Sequence, residues 1–210
     1  MQLYRPALKI LRSLPEQTHA GFLMRHSTRF PILSEDDVYS AGLTGEGITQ
    51  AERFGNALAA IRKPGRLHSS PVGRCLDTAQ AIARGSGWDL PVQSDYLLSH
   101  PFIERVWSGP VVQWKKDPLP DALRAILDLI IQGDEKDGGL DVFITHDTVV
   151  AALAGYFTGM SFHYPDYWPD FMEGIMIWRC AGRVHLKWRE LETMLEPWPL
   201  PETGQMALGL

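Results

Sequence analysis

Gly21-Phe22-Leu23-Met24-Arg25-His26-Ser27-Thr28-Arg29 is the stretch that decides the fold. Gly21 to Met24 is nearly continuous in apolar character, as a strand covered on both faces must be, and it runs straight into cationic residues. A helix is expected at about Gly47 to Arg62, where Ile48, Ala51, Phe54, Leu58 and Ile61 recur at helical spacing and Thr44 stands in position to cap it. Pro64-Gly65 is expected to break the chain before a short strand, Arg66-Leu67-His68-Ser69. A helix from about Pro71 to Arg84 follows, with Pro71 suited to the first turn because its missing N–H costs nothing there. Further on, Leu123, Ile126, Leu127 and Ile130 mark a helix over about Pro120 to Ile131, and Leu140 to Thr145 reads as a second buried strand. That strand enters His146-Asp147 and a helix to about Phe157. Two late strands, about Gly174 to Arg179 and Val184 to Arg189, flank a turn at Ala181-Gly182. Alternating strands and amphipathic helices predict an α/β fold of three layers, α/β/α, around a mostly parallel central sheet.

The 210 residues suit a single domain spanning 1–210, with 95–117 as an inserted lid or wall holding Trp107 and Trp114, and 197–210 as a surface tail. Twenty Lys and Arg against twenty-five Asp and Glu leave a formal charge of −5, which argues against nucleic acid as a partner. An anionic substrate remains compatible, because a local group of arginines focuses positive potential inside an acidic protein. Cys75 and Cys180 are too few for a disulfide framework and make no metal clip. The N-terminal MQLYRPALKILRSLPEQ has no apolar core or cleavage site of a leader, and the longest apolar run, Val149 to Phe157, is far short of the ~20 residues that span a bilayer. A cytoplasmic protein with no membrane partner is expected. Nothing in the sequence signals an oligomeric state.

Three strand-to-helix turns carry the chemistry: Arg25-His26-Ser27-Thr28-Arg29, Ser69-Ser70-Pro71 with Arg74 on the helix behind it, and His146-Asp147. Parallel α/β sheets bind ligands outside the carboxyl ends of their strands, where such loops meet helix N-termini. Side by side, these turns would bring Arg25, Arg29, Arg74, His26 and His146 to one pocket. That much positive charge is costly to bury without an anion, and guanidinium forks match a phosphoryl group in geometry and charge.

These motifs resemble those of the histidine phosphatase superfamily, which includes phosphoglycerate mutases and histidine acid phosphatases. Leu23 to Arg29 is similar to its Arg-His-Gly signature, and Leu43-Thr44, Gly47, Gln50-Ala51 and Gly55 to its following helix. Ser69-Ser70-Pro71 with Arg74 and Thr78-Ala79 is similar to its second arginine motif, and Thr145-His146-Asp147-Thr148 to the late His-Asp motif of the acid phosphatases. The resemblance implies a phosphoglycerate mutase-like fold and a metal-independent, cofactor-free phosphomonoester hydrolase acting on a small phosphorylated substrate. His26 would be the nucleophile and form a phosphohistidine. Arg25, Arg29, Arg74 and His146 would hold the phosphoryl oxygens, and Asp147 would be the general acid and then base. A proton-bearing Asp147 implies an acidic optimum, roughly pH 5–6. Glu104 is the alternative acid, by analogy with the mutases, and Glu173 is a candidate substrate contact in the same pocket. Where the family has glycine after the nucleophile, this chain has Ser27, which must either contact the phosphate or point away; it is counted here with the substrate contacts. The alternatives are a mutase-like phosphoryl transferase, or an inactive relative that binds a phosphorylated ligand or partner.

Each residue also has a plainer explanation. Arg25 and Arg29 would pair with the acids of Ser34-Glu35-Asp36-Asp37, and Asp147 would cap the helix behind it. His68, His100, His163 and His185 have no metal spacing and are expected to be structural or on the surface. Trp168-Pro169-Asp170 matches the acid-bearing loop of cysteine-dependent phosphatases, but that chemistry needs a cysteine and an arginine on one phosphate loop. Ala81 and Leu186 stand where the arginine after Cys75 or Cys180 would be, so the tripeptide is expected to be coincidental.

Overall fold

The computed structural model describes residues 4–99, 121–133, 135–159 and 168–195. In chain order the elements are α1 (Arg5–Ser13), β1 (Ala20–Arg25), the single turn α2 (Asp37–Ser40), α3 (Gly45–Ala59), β2 (Lys63–Ser69), α4 (Gly73–Ser86), β3 (Val92–Ser94) and a 3-10 turn (Tyr96–Leu98). There follow α5 (Asp121–Ile130), β4 (Gly139–Thr145), α6 (Asp147–Thr158), β5 (Gly174–Cys180), β6 (Arg183–Trp188) and β7 (Leu191–Leu195). Seven strands form one sheet in the order β3-β2-β4-β1-β5-β6-β7. Its core, β3-β2-β4-β1, is parallel, and β5, β6 and β7 add an antiparallel meander.

Strand alternation sorts the core into two faces. Phe22 and Met24 of β1, with Leu140, Val142 and Ile144 of β4, point to the side covered by α1, α3 and α4. Leu23 and Phe143, with Ile175 and Ile177 of β5, point to the side covered by α5 and α6. Every residue of β1 and β4 is buried, which accounts for the continuous apolar runs. The helices α3 and α4 approach so closely that a Cβ at Gly55 would collide with the Ile82 carbonyl, and one at Gly85 with that of Glu52.

Two local expectations are corrected. Pro71 stands ahead of the cap residue Val72, because α4 starts only at Gly73. Pro64-Gly65 lies inside β2 and does not break it; the register against β4 shifts between Pro64 and Leu67. The shift aims the Arg66 amide at the Asp141 carboxylate, 2.6 Å away, where the bare Gly65 leaves room for that carboxylate. Thr44 caps α3 as expected, accepting from Gly47 N at 3.0 Å. Ala181 and Gly182 both have positive φ, 51° and 74°, the conformation that a two-residue hairpin turn demands. The expected wall at 95–117 is described only as far as Ser99; Glu104, Trp107, Trp114, His100, His163 and the tail 197–210 lie outside the described residues. Among the described residues, no helix is long and apolar enough to cross a membrane.

Candidate active site

β1, β2 and β4 are neighbours and point the same way, so their carboxyl ends deliver all three motif turns to one edge of the sheet. Backbone bonds stitch the turns together. His26 N donates to Thr145 O at 2.9 Å, Ser70 N to Ile144 O at 2.9 Å, and Arg25 N to Glu173 O at 2.8 Å. The cluster is deeply enclosed: His26 is 2% exposed, His146 1% and Arg74 4%.

Arg74 is the hub. Its Nε donates to His26 Nε2 at 3.1 Å, its Nη2 to His146 Nδ1 at 3.3 Å, and its Nη1 to the carbonyl of Val38 on α2 at 2.6 Å. These contacts determine both tautomers, since a carbonyl only accepts and a guanidinium only donates. His26 Nδ1 lies 2.8 Å from Ser27 O and must carry the proton, which leaves the lone pair on Nε2. His146 accepts on Nδ1, so its Nε2–H donates to Ser70 Oγ at 3.0 Å. Burial, then the charges of Arg74 and Arg25, drive the His26 pKa well below its usual value, against the pull of the Ser27 carbonyl. His26 is a neutral imidazole.

Arg25 and Asp147 form a pair beside the histidines. Arg25 Nη2 lies 3.0 Å from Asp147 Oδ2, and Nη1 donates to Pro169 O at 2.7 Å. The Phe171 ring lies 4.0 Å from the guanidinium and 5.7 Å from the His26 ring. Arg25 Nε is buried with no acceptor among the described residues. Asp147 is the first residue of α6, and His146, not Asp147, is its cap. Burial pushes the Asp147 carboxyl up, but Arg25, the Trp168 indole, the Thr148 amide at 2.9 Å and His146 together hold it below the ordinary carboxylate range. The proton expected on Asp147 near pH 5–6 is therefore absent in this arrangement. Arg29 is half-buried; its Nη1 donates to Phe30 O at 2.8 Å, and its charge reaches both Arg25 and Arg74.

Two of the expected contacts face elsewhere. Ser27 is fully buried and turned away from the cluster: its Oγ donates to Gly47 O at 2.8 Å, and its amide to Thr78 Oγ1 at 3.0 Å. Glycine at position 47 permits this, because a Cβ there would strike the Thr28 carbonyl. Glu173 faces α1 instead, in a groove of about 1320 Å³, where Arg189 grips both its oxygens at 2.5 and 2.9 Å. Arg25, Arg74, His26, His146 and Asp147 thus come together, with Arg29 in electrostatic reach, while the side chains of Ser27 and Glu173 do not join them. The sequence reading missed Ser70, Phe171 and Trp168. Ser70 stood inside a quoted motif, and Trp168 carried the tripeptide that was set aside.

Residues 22–100 match the sequence model of the histidine phosphatase superfamily (branch 1). No curated protein matches the chain. Among solved structures, the fold is similar to a mycobacterial hydrolase (TM-score 0.54, 20% identity, 81% of this chain and 90% of that one). It is similar to a mycobacterial glucosyl-3-phosphoglycerate phosphatase (TM-score 0.52, 20% identity, 81% and 98%). The protein histidine phosphatase SixA in complex with tungstate also resembles it (TM-score 0.50, 16% identity, 83% and 96%).

Proposed function

The chain carries the histidine phosphatase superfamily pattern over residues 22–100, and from that premise we propose that it hydrolyses small phosphomonoesters through a phosphohistidine on His26. One observation carries this reading: a neutral imidazole with its lone pair on Nε2 sits among arginines, one of which, Arg25, holds a buried N–H with no acceptor among the described residues. A buried charged donor left unmatched costs about 1–3 kcal/mol or more, and a phosphoryl oxygen would satisfy it.

In the first step the phosphoryl oxygens take over the donors of Arg25 and Arg74, which frees the Nε2 lone pair. Nε2 attacks phosphorus, the P–O bond to the leaving group breaks, and the leaving oxygen takes a proton from Asp147. In the second step water attacks phosphorus and gives a proton to the Asp147 carboxylate. The P–N bond breaks as the P–O bond to water forms, returning neutral His26, and phosphate leaves with the proton that Asp147 took from water, so the carboxylate is ionised again. Because the Asp147 carboxylate starts ionised, the proton for the first step arrives with the substrate. A phosphomonoester has its second pKa near about 6, and its monoanion can hand that proton to Asp147 as the dianion settles on the arginines.

The pH dependence follows from these charges. With p-nitrophenyl phosphate, kcat/KM should fall about tenfold per unit above about pH 6, where the monoanion is lost. It should show no acid-side inflection at 6.5, because the depressed His26 pKa keeps the nucleophile neutral well below that point. An inflection there would mean that the imidazole titrates normally.

The decisive test is turnover quenched in alkaline denaturant, followed by intact-mass and peptide analysis at alkaline pH. A phosphoryl adduct on His26, acid-labile and base-stable, is expected; an adduct elsewhere, or none during rapid turnover, removes the proposal. Asp147→Asn should lower turnover of an alkyl phosphate roughly 100-fold, while Glu104→Gln leaves it near native. The reverse pattern would assign the acid to Glu104. Ser27→Gly bears on the inactive-binder alternative: turnover should stay within about twofold, with stability lower by about 1 kcal/mol in urea for the lost bond to Gly47 O. A large gain in turnover would show instead that the serine disables the native site.

A further inference from the structure

The two ring nitrogens of His146 meet different neighbours. Nδ1 lies 3.3 Å from Nη2 of Arg74, the residue that also holds His26 Nε2, and His146 Nε2 lies 3.0 Å from Ser70 Oγ. Ser70 is fully buried and fixed by its backbone at the end of β2. Its amide donates to Ile144 O at 2.9 Å, and its carbonyl accepts from Ser69 Oγ at 2.8 Å. The Val72 amide reaches its Oγ at 3.4 Å. Cys75 Sγ also lies near His146 Nε2, at 3.7 Å, but its thiol donates to Thr145 O at 3.6 Å. Burial pushes the Cys75 pKa up to about 12, so it stays a thiol and offers Nε2 only a weak acceptor.

The free and the occupied site ask opposite things of this ring. In the free site Nδ1 accepts from a guanidinium, so the ring proton is on Nε2. Once phosphoryl oxygens take over the donors of Arg74, Nδ1 faces an oxygen that accepts. A lone pair there would repel it, so His146 can hold the oxygen only with its proton on Nδ1. Nε2 then carries the lone pair and needs a donor. We propose that Ser70 is a positioning residue for His146, its hydroxyl accepting from Nε2–H in the free site and donating to Nε2 once a phosphoryl oxygen faces Nδ1. The inference rests on the reading of the cluster as a phosphatase site. Nε2 gives one proton to water and Nδ1 takes one from water, so the ring stays neutral. A hydroxyl serves both tautomers by turning its O–H, whereas a pure donor or a pure acceptor would fix one. The ring itself stays in place, as its burial ahead of α6 requires.

The test is nitrogen-15 NMR of the full chain, with vanadate as the probe and the His146 ring assigned by through-bond correlation from its own backbone amide. Protonated and bare ring nitrogens resonate far apart, so each tautomer has its own signature. The native ring should carry its proton on Nε2 alone without vanadate, and on Nδ1 alone at saturating vanadate. A proton that stays on Nε2, or protons on both nitrogens in the complex, overturns the inference. Ser70→Ala removes the hydroxyl and keeps both backbone bonds. It should weaken vanadate binding and lower kcat with p-nitrophenyl phosphate about tenfold each, and leave His146 divided between tautomers in the complex. Ser70→Thr, which keeps a hydroxyl on the same carbon, should restore the single Nδ1–H tautomer and bring kcat back to within about threefold. Lower turnover in Ser70→Ala with the change of tautomer intact would make the serine merely structural, and that result overturns the inference as well. Where Ser70→Ala does not fold, the native spectra still decide. Should the native protein neither bind vanadate nor turn over p-nitrophenyl phosphate, the phosphatase reading fails and the inference falls with it. Should it do both while His146 keeps its proton on Nε2 throughout, only the inference fails.

Discussion

Replacing His26 with alanine is expected to abolish turnover, by roughly 10⁴-fold or more, while the protein stays folded. The imidazole supplies the atom that phosphorus bonds to, so its removal deletes a covalent step that neighbouring groups cannot replace. The structural consequences are smaller. Arg74 loses an acceptor at Nε but keeps His146 and the Val38 carbonyl, and Thr145 O keeps the backbone amide of position 26. The variant should still bind vanadate through the arginines. The cavity left between Phe171 and His146 has the shape of the lost ring, so added imidazole should restore part of the activity. Retention of native turnover in this variant would end the phosphohistidine mechanism. Loss of turnover without vanadate binding would instead point to collapse of the cluster.

The second large effect lies at the opposite end of the sheet and concerns stability. Asp141 on β4 is fully buried, yet ionised. Burial pushes its carboxyl up, but His19 and Arg66 win and hold it below the ordinary range. Arg66 Nε and Nη2 reach Oδ2 at 2.8 and 2.6 Å, and His19 Nε2 lies 2.9 Å from the same oxygen. His19 Nδ1 meets Asp137 at 2.6 Å. Asp141→Ala strips the counter-charge from Arg66 and His19 and should cost about 3–5 kcal/mol, read as a lower urea midpoint at unchanged slope. A drop below about 1 kcal/mol would mean that the network contributes little. The linkage has a definite sign. Asp141 binds protons more weakly folded than unfolded, so its stabilisation is present above its unfolded pKa of about 3.9 and is lost as pH falls through the folded value. His19 is the converse: burial lowers its pKa, but Asp141 and Asp137 raise it further, so its stabilisation is full below about 6.5 and is lost as pH rises through the folded value. His26, buried and neutral, adds an acid penalty that sets in below about 6.5.

What was legible from the chain alone follows short-range rules. The runs 21–24 and 140–145 announce buried strands because both faces of each are covered, and the helix spacings at 47–62 and 120–131 fall within a few residues of α3 and α5. The turns after β1, β2 and β4 carried their chemistry in plain view, since loops at the carboxyl ends of parallel strands converge by topology. The short strands β3 and β7 left no comparable pattern, whereas α1 carries an amphipathic face, with Ala7, Leu8 and Leu11 buried, that the sequence reading passed over.

Other features were decided only by the tertiary structure. Whether Ser27 faces a phosphate or Gly47 depends on how closely α3 approaches the turn, and a residue type carries no direction. Glu173 turns to Arg189 because β5 and β6 pair, and Asp141 is ionised because a bulge in β2 and a histidine ahead of β1 meet there. The proton state of Asp147 is the clearest case: the sequence named the carboxyl, but its charge depends on burial and on Arg25, which comes from β1, more than a hundred residues away in the chain. Periodicity and motif order act along the chain and can be read there. Orientation and proton affinity are sums over partners in space, and those exist only once the chain has folded.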